Sequence, residues 1–287
     1  MLPAQVGGRL FSESLARLVF LLFIPLSIPT GLHHQFTDPG IEHGSKVFHA
    51  FNTFAVIFPS LVTAFTVLAS IEEGARRNGG RGYLGWLLAL PWLKDPSAAG
   101  QLLAMLIFAT GGITGLINAS LSMNLLVHNT MWVVGHFHTQ VGAAVTMTFM
   151  AVSYWLVPLL AQRPLWSRRL AIVQMWLFFF GTAIMARGMH WLGLAGAPRR
   201  TYYSHAPYVQ RYQEWELAGW MVGGGGVLLF VSGALFVLIM LVTALRKPQP
   251  VNLNVPEAQP LPQPQGMSWL LDRIGPWFAL AVILSAL

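Results

Sequence analysis

The sequence predicts an all-α membrane protein built as a bundle of transmembrane helices, from its composition and from the length of its apolar runs. Hydrophobic residues make up 55% of the 287 residues and charged residues only 9%, against about 25% charged residues in soluble domains. Crossing the hydrocarbon core of a bilayer takes roughly 20 mostly apolar residues. Six stretches are long enough, and a seventh, beginning near Ile274, is too short as written. We therefore expect a polytopic bundle of six full spans and a truncated seventh.

The predicted spans alternate in direction, so that the loops between them fall on two sides of the membrane. The six full spans lie at about Leu15–Leu32, Val47–Ile71, Gln101–Met123, Val133–Leu160, Leu170–Leu194 and Gly219–Leu245. The side that holds the N-terminus, called side A, carries twelve of the 17 Lys and Arg residues, whereas the opposite side B carries four. Because cytoplasmic loops are enriched in Lys and Arg, side A is predicted to face the cytoplasm.

Two features of the composition restrict the partners of the chain. It has no cysteine, so any metal must be held by His, Met, carboxylate or backbone oxygen. The net charge of +7 is explained by cytoplasmic loops, and we expect the lipid bilayer, not nucleic acid, as a partner. Residues 246–267 are polar and rich in Pro and Gln, which predicts an extended loop outside the membrane.

Two close pairs of histidines lie within the apolar stretches. His33 and His34 end the first predicted span, and His136 and His138 lie in the first turns of the fourth. Helical residues advance about 100° each, so His136 and His138 point about 200° apart. They cannot bind one metal together, but each could hold a separate planar cofactor on its own side of the helix. Adjacent His33 and His34 could both reach one metal, and neutral imidazole suits copper and iron.

Each histidine also has a less specific interpretation. A single His near a helix end is usually an interfacial side chain, and we accept this for His43, His49 and His205. The two pairs, in a chain without cysteine, favour a metal or heme site instead. Gly111 and Gly115 also form a pair of small residues where another helix could pack closely.

Several segments resemble subunit I of the heme–copper oxygen reductases, specifically the B-family or ba-type cytochrome c oxidases. The resemblance extends from about Gly8 to the last residue. It is carried by "GLHHQFTDPG" and "VHNTMWVVGHFHTQVG", and by "PSLVTAFTVLAS", "GGRGYLGWLLALPW", "INAS", "HWLGLAGAPRR" and "LDRIGPWFA".

The resemblance implies cofactors and ligands at the two histidine pairs. His33 and His34 would be two of the three ligands of the active-site copper. His136 would be the proximal ligand of a high-spin heme, and His138 one axial ligand of a low-spin heme on the opposite face.

The resemblance also implies roles for polar residues near side B. Arg199 and Arg200 would pair with heme propionates, since the arginine fork suits carboxylates, and His128 and Asn129 match positions near the propionates of the high-spin heme. The family often has an acidic residue where Asn124 stands, so a propionate-linked proton site at that position is in doubt.

Ser60, Thr63 and Thr66 resemble the hydroxyl row of the single, K-type proton channel of the family. Such hydroxyls also commonly bond to their own backbone or to a neighbouring helix, and this alternative stays open. Arg187, within the fifth predicted span, could extend toward side B or meet a carboxylate elsewhere.

In the family, the third copper ligand and the second axial ligand of the low-spin heme come from earlier helices. We therefore expect residues 1–287 to be the C-terminal half of a subunit I, through a split gene, a gene-calling fragment or a deliberate cut. The expected partners are the N-terminal half, a subunit II with a dicopper site, and cytochrome c.

The implied reaction reduces dioxygen to water with four electrons from cytochrome c, and it translocates protons across a bacterial or archaeal cell membrane. One alternative is a nitric oxide reductase of the same superfamily, which would use non-heme iron and nearby glutamates. The absence of Asp and Glu from the predicted spans argues against it. The other alternative is a non-catalytic membrane protein or an inactive fragment.

Overall fold

The computed structural model describes residues 1–202, 208–248, 257–258 and 268–286. In these residues the regular structure is helical apart from one isolated bridge between Thr130 and Pro198, which confirms the predicted all-α class. Five described helices are long and apolar enough to cross a membrane, so the chain is a multi-pass membrane protein. These are His43–Arg77, Pro96–Ala119, Met131–Ala161, Arg168–Leu194 and Gln213–Leu245.

The first predicted span differs from a single α-helix. It forms an α-helix over Glu13–Ser27 and then a tighter 3₁₀-helix over Ile28–His34. At about 1.5 Å per α-helical residue and about 2.0 Å per 3₁₀ residue, the two parts together extend roughly 36 Å, which exceeds the roughly 30 Å hydrocarbon thickness. The seventh predicted span is a short apolar helix, Gly275–Ser285.

The chain separates into two compact units. Unit 1 comprises Met1–Leu90, Ala119–Leu121 and Val255–Leu287, and unit 2 comprises Pro91–Asn118 and Ser122–Asn254. Most of the predicted loop 246–267, namely 249–256 and 259–267, lies outside the described residues, as does His205.

Unit 1 packs its N-terminal segment on a long helix. Its helices are α1 (Leu2–Gln5), α2 (Glu13–Ser27), α3 (His43–Ala55), α4 (Ile57–Arg77) and α11 (Gly275–Ser285), with 3₁₀-helices over Ile28–His34 and Gly85–Ala89. The side chain of Asn78 donates to the carbonyl of Val6 at 2.9 Å, and Ser70 Oγ accepts from the backbone N–H of Phe11 at 2.9 Å. These bonds satisfy backbone groups of a segment that has no regular partner of its own.

Unit 2 contains the remaining helices. These are α5 (Pro96–Ala119), α6 (Leu121–Val127), which begins at the boundary with unit 1, α7 (Met131–Phe137), a π-helix (His138–Val145), α8 (Thr146–Ala161), α9 (Arg168–Leu194) and α10 (Tyr212–Leu245). The predicted span Gln101–Met123 is therefore interrupted, since α5 ends at Ala119. The core of the unit is fully buried at Leu103, Met147, Met175 and Ile239.

A buried polar network joins three helices of unit 2. The Tyr154 hydroxyl of α8 donates to Gln174 Oε1 of α9 at 2.7 Å. Gln174 Nε2 in turn donates to Ser232 Oγ of α10 at 2.9 Å, and Ser232 Oγ donates back to the Gln174 carbonyl at 2.9 Å. Because all three residues are buried, these partners replace water for polar groups that would otherwise be costly in an apolar interior.

Helices α9 and α10 approach each other closely at Gly225. A Cβ at Gly225 would lie 2.5 Å from the backbone nitrogen of Met185 and 2.6 Å from the carbonyl oxygen of Gly181. Both atoms belong to backbone and cannot move aside alone, so only glycine fits at this crossing.

Gly225→Ala is expected to destabilise the full chain by about 1–3 kcal/mol, the usual cost of overpacking a well-packed interior. Reversible unfolding in mixed detergent micelles would measure the change in free energy. The matched control is Gly223→Ala on the same helix, where a Cβ would meet nothing within 4 Å. Equal losses for the two variants would contradict the close crossing.

Candidate metal centres

In unit 1, His33 and His34 lie side by side at the end of the 3₁₀-helix that follows α2. Their ring centroids are 4.1 Å apart and the ring planes are inclined by 72°. His33 Nδ1 donates to the carbonyl of Thr30 at 2.7 Å, because a carbonyl can only accept. This bond places the ring proton on Nδ1 and leaves Nε2 of His33 as the nitrogen that can accept.

Helix α3 of unit 1 contacts the 3₁₀ turn that carries His33. The hydroxyl of Thr53 lies 3.5 Å from His33 Nδ1 and donates to the carbonyl of His49 at 2.7 Å. Thr53 is 9% exposed and Asn52 is 3% exposed, so the support lies in the interior of the unit. Thr53 is not among the residues predicted from the sequence, because its spacing from His33 carries no signal.

In unit 2, His136 is held between α7 and α5. Its side chain is 7% exposed, and its Nδ1 lies 3.0 Å from the carbonyl oxygen of Gly111 and 3.2 Å from Thr114 Oγ1. A Cβ at Gly115 would lie 2.8 Å from His136 Cε1. The predicted pair of small residues on α5 is therefore confirmed as a close packing site, and what it accommodates at Gly115 is an imidazole ring.

His138 has different surroundings from His136. Its Nδ1 donates to the carbonyl of Val134 in its own helix at 2.8 Å, and the ring is half-buried. Phe137, between the two histidines, is 49% exposed. The His136 ring is thus bonded to α5, whereas the His138 ring is bonded to its own helix. This agrees with the two helix faces expected from their spacing.

The helix changes type at His138. The segment His138–Val145 is a π-helix, a form that is rare and often found at functional sites. At the change, Thr139 Oγ1 donates to the carbonyls of His136 at 2.7 Å and Gly135 at 3.3 Å. A side chain that bonds within the backbone ladder is a recognised cause of such irregularity.

His190 of α9 is a further buried histidine next to α7, one that the sequence analysis did not include in the site. It is 8% exposed, and its ring centroid lies 4.6 Å from that of Trp132. A Cβ at Gly135 would lie 3.0 Å from His190 Nε2. Gly135 therefore lets α9 approach the backbone directly beside His136.

Near the predicted side B, the structure brings His128, Asn129 and Arg199 together. Arg199 donates from Nε and Nη2 to Asn129 Oδ1, at 3.0 and 2.7 Å, and Asn129 Nδ2 donates to His128 Nε2 at 3.0 Å. Asn129 and Arg200 both have left-handed backbones, with φ of 54° and 59°. Asn124, which is fully buried, donates to the carbonyl of Asn118 at 2.6 Å.

The three predicted proton-path hydroxyls of unit 1 each donate to a carbonyl one turn earlier on α4. Ser60, Thr63 and Thr66 bond to Val56, Pro59 and Val62 at 2.8, 2.7 and 2.8 Å. A fourth hydroxyl, fully buried Ser70, continues the row and donates to Thr66 O at 2.6 Å. The alternative of backbone bonding is therefore present in the structure, and Ser70 was missed because it falls at spacing four after spacings of three.

Residues 1–228 match the family described as Cytochrome C and Quinol oxidase polypeptide I. The chain belongs to this family. The predicted resemblance to heme–copper oxidase subunit I is thus confirmed, and membership implies heme and copper as cofactors.

The curated relatives include cytochrome c oxidase subunit 1 of Thermus thermophilus, 44% identical over 295 residues, covering 100% of this chain and 52% of the relative. This relative fits the predicted B-family assignment. A cytochrome c oxidase polypeptide 1 from Halobacterium salinarum is 29% identical over 212 residues, 74% of this chain and 32% of its own length. The chain thus spans about half the length of the Thermus relative.

Among solved structures, a heme–copper terminal oxidase dimer determined by electron cryo-microscopy matches with a TM-score of 0.87 and 34% identity. The match covers 97% of this chain and 50% of that one.

The residues present fit heme iron and copper. Imidazoles suit both metals, and the predicted metal-binding His33, His136 and His138 each have Nδ1 bonded to a backbone carbonyl. Metal-bound histidines in proteins almost always carry such a second hydrogen bond, which fixes the ring orientation.

Gly115→Ala is expected to displace the His136 ring and, where His136 ligates a heme, to lower occupancy of that heme by about tenfold or more, the usual scale for disturbing the support of a metal ligand. Difference spectra of the purified protein with carbon monoxide would measure heme bound at this position. Gly112→Ala is the control, since its Cβ would make only an ordinary 3.6 Å contact with Gln140 Nε2. Unchanged spectra in both variants would contradict the packing of His136 on α5.

Proposed function

We propose that this chain supplies part of the catalytic subunit of a terminal oxidase that reduces dioxygen to water with electrons from cytochrome c and translocates protons. The observation that carries the proposal is the pair His136 and His138. Each ring has its Nδ1 fixed by a carbonyl, one of α5 and one of its own helix. This is the arrangement expected for two separate irons on one helix, and the family membership supports it.

In this proposal His136 binds the iron of a high-spin heme and His138 binds the iron of a low-spin heme. His33, through Nε2, and His34 would hold copper. When bound, the hemes and copper supply the electron transfer and oxygen chemistry. The protein positions each imidazole: the Gly111 carbonyl orients His136, the Val134 carbonyl orients His138, and the Thr30 carbonyl orients His33.

The polar cluster near side B is proposed to hold heme propionates. Arg199 is oriented by two bonds to Asn129 Oδ1, and its guanidinium has five N–H donors in all. Donors therefore remain for a carboxylate after Asn129 is satisfied. Arg200, the next residue in the sequence, supplies a second guanidinium, and His128 is held by Asn129.

Protons are proposed to move along the hydroxyl row of α4 from side A. Each hydroxyl of Ser60, Thr63 and Thr66 donates its hydrogen to a carbonyl, but its oxygen can still accept a second hydrogen bond. A proton arriving on that oxygen can move on when the hydroxyl rotates its own hydrogen away from the carbonyl and toward the next oxygen along the path, so the relay requires each backbone bond to break during transfer.

The complete reaction is proposed to need other chains. The Thermus relative is about twice as long as this chain, and we propose that an N-terminal half of subunit I, a subunit II with a dicopper site, and cytochrome c complete the enzyme. The proposed location is the cell membrane of a bacterium or archaeon, as the Thermus and Halobacterium relatives support.

His136→Ala and His138→Ala should have opposite spectral effects. The first should abolish the high-spin heme signal and spare the low-spin one, and the second should do the reverse, because each ring holds a different iron. Optical and electron paramagnetic resonance spectra of the assembled oxidase would measure both signals. Exposed His43→Ala should change neither. Loss of the same band in both variants would show that the two rings serve one heme.

Thr63→Val should lower oxygen-consumption turnover several-fold while leaving the heme spectra unchanged. Valine matches the shape of threonine but has no hydroxyl to accept or donate a proton. Thr148→Val is the matched control, because Thr148 also donates one turn back, to Ala144 at 2.8 Å, but lies on α8. Wild-type turnover for Thr63→Val would remove Thr63 from the proposed path.

A further inference from the structure

A cavity lies in unit 2 where α5 begins, α8 ends and α9 begins. Its volume is about 280 Å³, and its polar and aromatic lining includes Asp95, Ser97, Tyr154, Trp155 and Arg168. All three helix ends fall on the predicted side A. The cavity is smaller than the roughly 300–1,000 Å³ of pockets for drug-sized ligands, and it is therefore suited to a small polar group.

One wall of the cavity offers hydrogen-bond donors. Trp155 Nε1 is buried, and no acceptor for it is present among the described residues. A buried donor left without an acceptor is costly, so a ligand that accepts from it would be stabilised. Arg168 lines the same cavity with an exposed guanidinium and is the first residue of α9, where the helix end also favours an anion.

Asp95 gives the cavity a negatively charged group. Its Oδ1 accepts the backbone N–H of Ala98 at 2.8 Å and so caps the start of α5. The carboxylate therefore has a fixed position, and Oδ2 is the oxygen that can meet a cation. The hydroxyl of Tyr154 is already engaged, because it donates at 2.7 Å to Gln174, which does not line the cavity.

We propose that this cavity binds the headgroup of a zwitterionic aminophospholipid of the cytoplasmic leaflet. The headgroup phosphate accepts hydrogen bonds from Arg168 and Trp155 Nε1, and its ammonium group is held by Asp95. The position supports a lipid source, since Trp is enriched at the level of headgroups and the neighbouring Leu160 is 74% exposed. The proposal does not rest on the proposed oxidase function.

The test uses the full chain, extracted in mild detergent with the subunits that co-purify, and placed in nanodiscs of phosphatidylethanolamine and phosphatidylglycerol in equal amounts. Native mass spectrometry then counts retained lipids. Wild type should retain one phosphatidylethanolamine. Arg168→Gln and Trp155→Phe should each weaken retention by about tenfold, the effect of losing one hydrogen bond to a charged group. Arg169→Gln is the matched control, because Arg169 is the next residue but does not line the cavity.

Asp95→Asn tests the ammonium contact. Asparagine caps helices as well as aspartate does, so α5 should keep its start while the negative charge is lost. The retained lipid should then change from phosphatidylethanolamine toward phosphatidylglycerol.

Two outcomes would overturn the proposal. The first is equal lipid retention in Arg168→Gln and Arg169→Gln. The second is binding of inorganic phosphate alone, with no retained lipid, which would make this a site for free phosphate. Heme absorption is recorded for every variant and should stay at the wild-type level, so failure of the lipid site is distinguishable from failure of the oxidase proposal.

Discussion

The hydrogen bond between His136 Nδ1 and the Gly111 carbonyl is the interaction on which the proposed heme site of unit 2 depends. It requires α5 and α7 to lie so close that only an imidazole ring fits between them. Because Gly115 has no Cβ, there is room for that ring. A second side of α7 has a matching requirement, because α9 places His190 against Gly135. Helix α7 is therefore packed between α5 and α9, with glycines at the two close contacts. This packing restricts the orientation of the His136 ring.

The sequence predicted the parts of this arrangement that depend on composition and on spacing along one helix. Apolar length predicted the membrane helices, and the angle between His136 and His138 follows from helical geometry alone. The change to a π-helix at His138 was not predictable, because it coincides with Thr139 bonding to the carbonyls of His136 and Gly135. His190 and Thr53 were missed for a related reason. Thr53 meets His33, and His190 meets Trp132, through tertiary packing that no pattern within a single segment encodes.

The first predicted span shows a limit of hydropathy itself. The apolar run from Leu15 to Leu32 was read as one helix, but its last residues form a 3₁₀-helix that continues to His34. Hydropathy reports which residues tolerate lipid and not which helix type they adopt. A 3₁₀-helix has three residues per turn, so His33 Nδ1 meets the Thr30 carbonyl directly above it. The tighter 3₁₀ turn thus sets an orientation of the His33 ring that differs from the one in a regular α-helix.

The hydrogen bonds of the α4 hydroxyls are compatible with a structural role and with a proton path. Backbone bonding by Ser60, Thr63, Thr66 and Ser70 is what isolated membrane helices show, and it explains the geometry without any proton path. Yet Ser70 also accepts from Phe11 N, which demonstrates that a hydroxyl in this row can donate and accept at once. A relay needs that dual capacity at each step, and within the part of the chain that the structure describes Ser70 is the hydroxyl of the row that shows it. Hydroxyls with a structural role and hydroxyls that conduct protons therefore share the bond to the carbonyl. They differ in whether a second hydrogen-bonding partner reaches the hydroxyl oxygen.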